Sequence, residues 1–109
     1  MLDCNDLDLM VSFWGTVLGL EERARYPDYV WLGRLGKAGP AFAFQHVDEA
    51  KREKNRMHLD LGVDDRDAFI EKALELGATR VQDHSLDNGF TWTVMADPEG
   101  NEFCVSEEH

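Results

Sequence analysis

From Leu9 to Leu18 the apolar side chains recur at helical spacing, with Met10, Val11, Trp14, Val17 and Leu18 on one stripe. That spacing predicts a helix over 9–18, and Asp6 or Asp8 is placed to cap its first turn. A short apolar start, Leu2 to Cys4, precedes it. Beyond Gly19 the pattern shifts to short strand-like segments, near 21–26, 29–35 and 41–47. Pro27-Asp28 turns the first pair of these, and Gly36 to Pro40 turns the second. The same succession then returns. His58 opens a segment in which Leu59, Leu61 and Val63 alternate with polar or small residues. A helix follows over 67–76, with Phe69, Ile70, Ala73 and Leu74 on its buried side and Gly77 to close it. Strands near 79–83, 91–96 and 102–106 complete the set. Asp87-Asn88-Gly89 and Asp97-Pro98-Glu99-Gly100-Asn101 supply their turns.

The recurrence has a measurable spacing. Asp6 and Asp65 lie 59 residues apart, Gly19 and Gly77 lie 58 apart, and Phe44-Gln45 and Phe103-Cys104 lie 59 apart. Three landmarks at offsets of 58 to 59, one residue being gained or lost between them, imply a duplicated βαβββ unit and an α+β fold. The stretch from Asp48 to Arg56 is charged and nearly without apolar groups, which marks a linker. The expected organisation is one domain over 1–109, with a first unit at 1–47, a linker at 48–56 and a second unit at 57–109.

Alternation assigns faces within each unit. Leu59, Leu61 and Val63 pack under the helix, so His58, Asp60 and Gly62 face the other way. Phe103 and Val105 take the helix side, leaving Glu102, Cys104 and Ser106 on the opposite face. The 59-residue offset puts Gln45 at the position of Cys104 and Ala43 at that of Glu102, with Phe42 and Phe44 packed inward.

Charge narrows the range of partners. The 109 residues carry 22 acidic and 11 basic side chains, a formal net charge of −11. Such a surface repels phosphate backbones and anionic lipid headgroups, which argues against nucleic acid and membrane partners. No segment approaches the roughly 18 uninterrupted apolar residues of a membrane span, and Met1 leads straight into Leu2-Asp3-Cys4 with no signal-like run. The two thiols, Cys4 and Cys104, form no CxxC pair and suit a reducing compartment. A cytoplasmic location is expected.

Several of these features together resemble a known family. They are Val17-Leu18-Gly19 after a helix bearing Phe13-Trp14, His58 leading a strand into Val63-Asp64-Asp65, Leu76-Gly77-Ala78, and Asp97-Pro98-Glu99-Gly100-Asn101 before a last strand. In this the chain is similar to the vicinal-oxygen-chelate superfamily of glyoxalases, bleomycin-resistance proteins and dioxygenases, and to its glyoxalase-like subgroup in particular. The resemblance implies two tandem βαβββ units whose curved mixed sheets surround a cup, with small molecules or a metal bound in it, and a homodimer. It also implies metal ligands: a His or Gln near the start of each first strand and a Glu late in each fourth. Carried across, the second-half His is His58, the second-half Glu position holds Cys104, and the first-half Glu position holds Gln45. With the 59-residue offset the first-half His falls before Met1.

An amide and a thiol balance a divalent charge poorly, so no metal site and no cofactor are expected, with a divalent metal as the alternative. His58 and Cys104 are the candidate catalytic pair, a base beside a nucleophilic thiol, against the plainer reading of a relic His and a buried Cys. Gln45, His58, Asp60, Trp31, Trp92 and Glu102 are the candidate ligand-binding residues. Trp14 belongs to the core, and His46, His84 and His109 belong to the surface. The expected function is a glyoxalase-like small-molecule-binding protein or enzyme with a degenerate metal site. The alternatives are a metal-dependent lyase, isomerase or extradiol-type dioxygenase, and an antibiotic-sequestering protein of the bleomycin-resistance kind.

Overall fold

The computed structural model describes residues 1–35, 40–53 and 58–107. The chain divides into two compact units, Met1–Ala50 and Lys51–His109. The division falls inside the charged segment, whose first residues belong with the first unit: Asn5 Nδ2 donates to the carbonyls of Val47 and Glu49 at 2.9 and 3.0 Å.

In the first unit the elements are β1 (Leu2–Cys4), α1 (Leu7–Leu18), β2 (Glu22–Arg25), β3 (Tyr29–Arg34) and β4 (Ala41–His46). Asp6 caps α1 by accepting from the Leu9 amide at 3.1 Å, and Gly19 ends it at φ 68°, a left-handed conformation that suits glycine. The sheet order is β1-β4-β3-β2, with β1 parallel to β4 and the other pairs antiparallel. Met10, Phe13 and Trp14 of α1 are buried, as are Val30, Leu32 and Phe44. Phe13 meets Trp14 edge to face at 5.2 Å, and Phe42 meets Phe44 in the same way at 5.3 Å.

The second unit repeats this connectivity with β5 (Leu59–Val63), α2 (Arg66–Glu75), β6 (Thr79–Ser85), β7 (Thr91–Ala96) and β8 (Glu102–Glu107), in sheet order β5-β8-β7-β6. Asp65 caps α2 through the Ala68 amide at 3.1 Å. The fold is therefore α+β, with two βαβββ units of one topology.

Four details depart from the sequence reading. Leu74 is 43% exposed, because the short helix buries only Ile70 and Ala73 fully and Leu74 lies about 100° further round the axis. Strand β6 runs on to Ser85, since its hairpin with β7 stays in register from Gln82↔Val94 to Ser85↔Thr91. Strand β2 is shorter than expected, with a bulge between Glu22 and Ala24. The fourth concerns the offset between the units. Register pairs Leu2 with Phe44 and Leu59 with Phe103, so the last strands are 59 apart but the first strands only 57. Strand β5 is two residues longer than β1, while a single residue, Asn5 or Asp64, separates each from its helix cap. Met1, rather than a position before the chain, is therefore the counterpart of His58.

The closing turn explains its own sequence. The Asp97 carboxylate is buried and accepts from the Glu99 and Asn101 amides, both at 2.9 Å, and from Asn101 Nδ2. Gly100 takes φ 89° inside this loop. Gly77, at φ 108°, lies against Pro98: a Cβ there would stand 3.4 Å from the proline ring. Asp97→Ala should therefore cost about 2–4 kcal/mol by urea unfolding, because it strands buried donors.

A second acidic group acts near the sheet surface. The buried Thr93 hydroxyl donates to Asp83 at 2.7 Å and Arg80 pairs with the same carboxylate, and together they hold Asp83 below its ordinary 3.8. A depressed carboxylate stabilises the fold above that value, and the contribution is lost as pH falls through the folded-state titration. In acid unfolding followed by circular dichroism, Asp83→Asn should show a shallower loss of stability below about pH 4 than the wild type.

Candidate functional site

Strand alternation and one parallel pairing build the site. Strand β5 lies against β8 with Asp60 beside Cys104 and Gly62 beside Ser106. Leu59, Leu61 and Val63 lean to the helix side, while Phe103 and Val105 are buried beneath it. His58, Asp60, Cys104 and Ser106 are left on the open face, where they line a hollow of about 410 Å³ with Leu86, Phe90 and Trp92.

The hollow has two chemically distinct ends. One is polar: His58 Nε2 lies 3.2 Å from Asp60 Oδ1, and a ligating atom from each of His58, Asp60 and Cys104 falls within 4.8 Å of the others. The Asp60 carboxylate is 77% exposed and the His58 ring 45%, so their contact is screened by water and charged on both sides only when His58 is protonated. Cys104 is half-buried. The other end is aromatic. Trp92 stacks on His84 at 5.1 Å and 15°, and Phe90 tilts against Trp92 at 5.7 Å and 33°. His84 and Trp92 are cross-strand partners, so the half-buried His84 ring backs Trp92 without itself lining the hollow.

Of the residues singled out in the sequence, His58, Asp60, Trp92 and Cys104 come together. Glu102 is half-buried at the start of β8 opposite Ala96 and does not line the hollow. Gln45 is exposed on β4 in the first unit, in register with Asp3 and Tyr29. Trp31, in the same unit, lines a separate hollow with Arg23 and Arg34. His46 is exposed, and His109 lies outside the described residues. The sequence reading missed Phe90 and Leu86. Phe90 was accessible, since it stands two residues before Trp92 and shares its face; Leu86 joins it across the turn, donating its amide to the Phe90 carbonyl at 2.8 Å.

The counterparts in the first unit lack this chemistry. Register makes Met1, Asp3 and Gln45 equivalent to His58, Asp60 and Cys104, and neither imidazole nor thiol recurs. One nitrogen, one oxygen and one sulfur donor form a set that would suit a borderline ion such as zinc. It does not suit a hard ion such as Mn(II), which prefers oxygen ligands throughout.

Among the described residues no helix is long and apolar enough to cross a membrane. No curated protein matches the chain. Solved structures of the same fold do. A glyoxalase/bleomycin resistance protein/dioxygenase family enzyme from Burkholderia phytofirmans shares 20% identity over 97% of this chain and 93% of its own, with a TM-score of 0.78. A mutant fosfomycin resistance protein, FosX, from Listeria monocytogenes, complexed with Mn(II) and 1S,2S-dihydroxypropylphosphonic acid, shares 16% over 96% and 83%, with a TM-score of 0.79. Lactoylglutathione lyase from Agrobacterium tumefaciens shares 24% over 97% and 88%, with a TM-score of 0.66. At these identities the likeness is one of fold. Family membership rests on sequence: the glyoxalase-like domain family matches residues 1–106, and the chain belongs to it.

Proposed function

We propose that this chain binds a small molecule in the hollow on the open face of β5-β8-β7-β6, with a flat apolar part against Trp92 and Phe90 and a polar group at His58, Asp60 and Cys104. The observation that carries this reading is the convergence, in one hollow of about 410 Å³, of an aromatic wall and a cluster of imidazole, carboxylate and thiol. Convergent polar groups at the end of an apolar surface orient a ligand as well as hold it. A net charge of −11 with Asp60 at the polar end favours a ligand bearing a cation there. That is the antibiotic-sequestering form of the reading. A catalytic form of the same reading has His58 move a proton and Cys104 serve as nucleophile.

A metal-assisted lyase, isomerase or dioxygenase is the second reading, favoured by the 4.8 Å grouping of three donor atoms. Here His58, Asp60 and Cys104 would hold a zinc-like ion, which would supply Lewis acidity at the mouth of the hollow. The Cys104 thiolate, the one soft donor of the three, would favour such an ion over Mn(II). Thermal-shift titration separates the two readings, because a ligand that prefers the folded state raises its stability once it exceeds its dissociation constant. The ligand-binding reading expects an aryl ammonium compound such as 2-naphthylmethylamine to stabilise the EDTA-treated wild type, and Trp92→Ala to abolish the shift. Stabilisation by zinc alone, lost in His58→Ala and Cys104→Ser, together with a ligand effect that appears only with zinc, would establish the metal-assisted reading instead.

The reading extends to assembly and setting. Edge strands β2 and β6 are open, and β6 is exposed along most of its length with Val81 outward, so a second copy is the proposed cover. Small-angle scattering at micromolar concentration should give twice the 12.4 kDa chain mass, and a monomer mass would exclude the homodimer. The cytoplasm is the proposed location, where the Cys104 thiol stays reduced.

A further inference from the structure

The first unit has a hollow of its own, of about 500 Å³, lined by Arg23, Trp31, Leu32, Gly33, Arg34 and Ala41. Its position coincides with two irregularities in the sheet. On β2 the register steps from Glu22↔Leu32 to Ala24↔Trp31, so Arg23 is the extra residue of a bulge. On β3 the register steps from Trp31↔Ala43 to Arg34↔Ala41, three residues against two, which returns Arg34 to the face of Trp31. A bulge re-aims a side chain that strict alternation would send to the opposite face. Without the irregularity on β3, Trp31 and Arg34 would point to opposite sides of that strand.

The side chains so gathered share one chemistry. Arg23 lies across Gly33, with Nε 3.6 Å from where a Cβ would stand. Trp31 is 36% exposed, an unusual state for the largest side chain on a strand whose neighbours Val30 and Leu32 are buried. The first fifty residues contain only four cationic side chains, Arg23, Arg25, Arg34 and Lys37, against eight acidic ones. Arg25 is held by Asp8 and Glu22 at 2.9 and 2.6 Å. Arg23, among the described residues, has no carboxylate within ion-pair distance. Arg23 and Arg34 line one hollow with the partly exposed Trp31, on a unit with twice as many acidic as basic side chains.

We infer that this hollow is a second binding site, for a small planar anion, whose ring lies on Trp31 and whose carboxylate or phosphate is held by Arg23 and Arg34. Guanidinium groups bind such oxyanions through paired, charge-assisted hydrogen bonds and tolerate an adjacent aromatic face. The net charge of −11 makes unspecific anion binding unfavourable, so saturable binding of an aryl anion identifies a local site.

The test is an amide and indole NMR titration of the full chain with 2-naphthoate, with 2-naphthylmethanol as the neutral counterpart. Saturable shifts are expected at Arg23, Gly33, Arg34 and the Trp31 indole, with the alcohol at least tenfold weaker. The exposed-site double variant Arg23→Gln, Arg34→Gln should keep the dispersed spectrum of the folded chain and bind 2-naphthoate at least tenfold more weakly. Trp31→Leu should also weaken it. The proposal is overturned if naphthoate produces no saturable shift, if the alcohol binds as well, or if the double variant binds unchanged. It does not depend on the hollow of the second unit, and shifts confined to Trp92 and Phe90 would count against it.

Discussion

In each unit the strand before the helix lies parallel to the last strand, β1 against β4 and β5 against β8, and the rest of the site follows from that pairing. Parallel neighbours cannot be joined by a tight turn, so the chain must leave the sheet, cross it as a helix and return through two antiparallel hairpin strands. The helix covers one face and buries Phe103 and Val105 in the second unit, or Phe44 in the first. The opposite face is left to the residues of the other parity. His58 and Asp60 thus come to lie beside Cys104 although more than forty residues separate them in sequence.

The two units use this frame differently. The positions that hold imidazole, carboxylate and thiol in the second hold Met1, Asp3 and Gln45 in the first, so among the described residues the three-donor cluster stands in the second unit alone. The first unit instead gathers arginines by bulging two adjacent strands. A bulge costs a ladder hydrogen bond locally, but it changes which side chains share a face without altering the fold. Duplication has given one scaffold two open faces of opposite chemical character, one with an acidic and soft-donor end and one cationic. The helix side of both stays apolar, because that face must exclude water for either unit to fold.

Polar groups off these faces serve the scaffold. Asp97 organises the turn that leads into β8 and so fixes where Cys104 emerges, while Asp83 receives the hydroxyl of the buried Thr93 on β7, next to Trp92. Both are short-range arrangements, and both set the register of the strands that carry site residues. The aromatic end of the hollow depends on that register as well, since His84 stacks on Trp92 only while the two remain cross-strand partners.

The sequence by itself determined the element order, a capping aspartate for the first helix, the turn chemistry and the facing of His58, Asp60 and Cys104. Each of these follows from local periodicity or from a residue acting on its own backbone neighbours, as Asp6, Asp65 and Asp97 do. Family membership was legible for the same reason, in His58 and the Asp97–Asn101 turn. What the sequence left open depended on register. A constant offset of 59 misplaced the first strand by two residues, because strand length before a helix cap leaves no mark in a hydrophobic pattern. The bulges at Arg23 and Gly33 were hidden likewise: alternation read along one strand cannot show where its neighbour slips. Only pairing between strands, decided by the packing of the whole sheet, put Asp60 against Cys104, His84 against Trp92, and Arg34 on the face of Trp31.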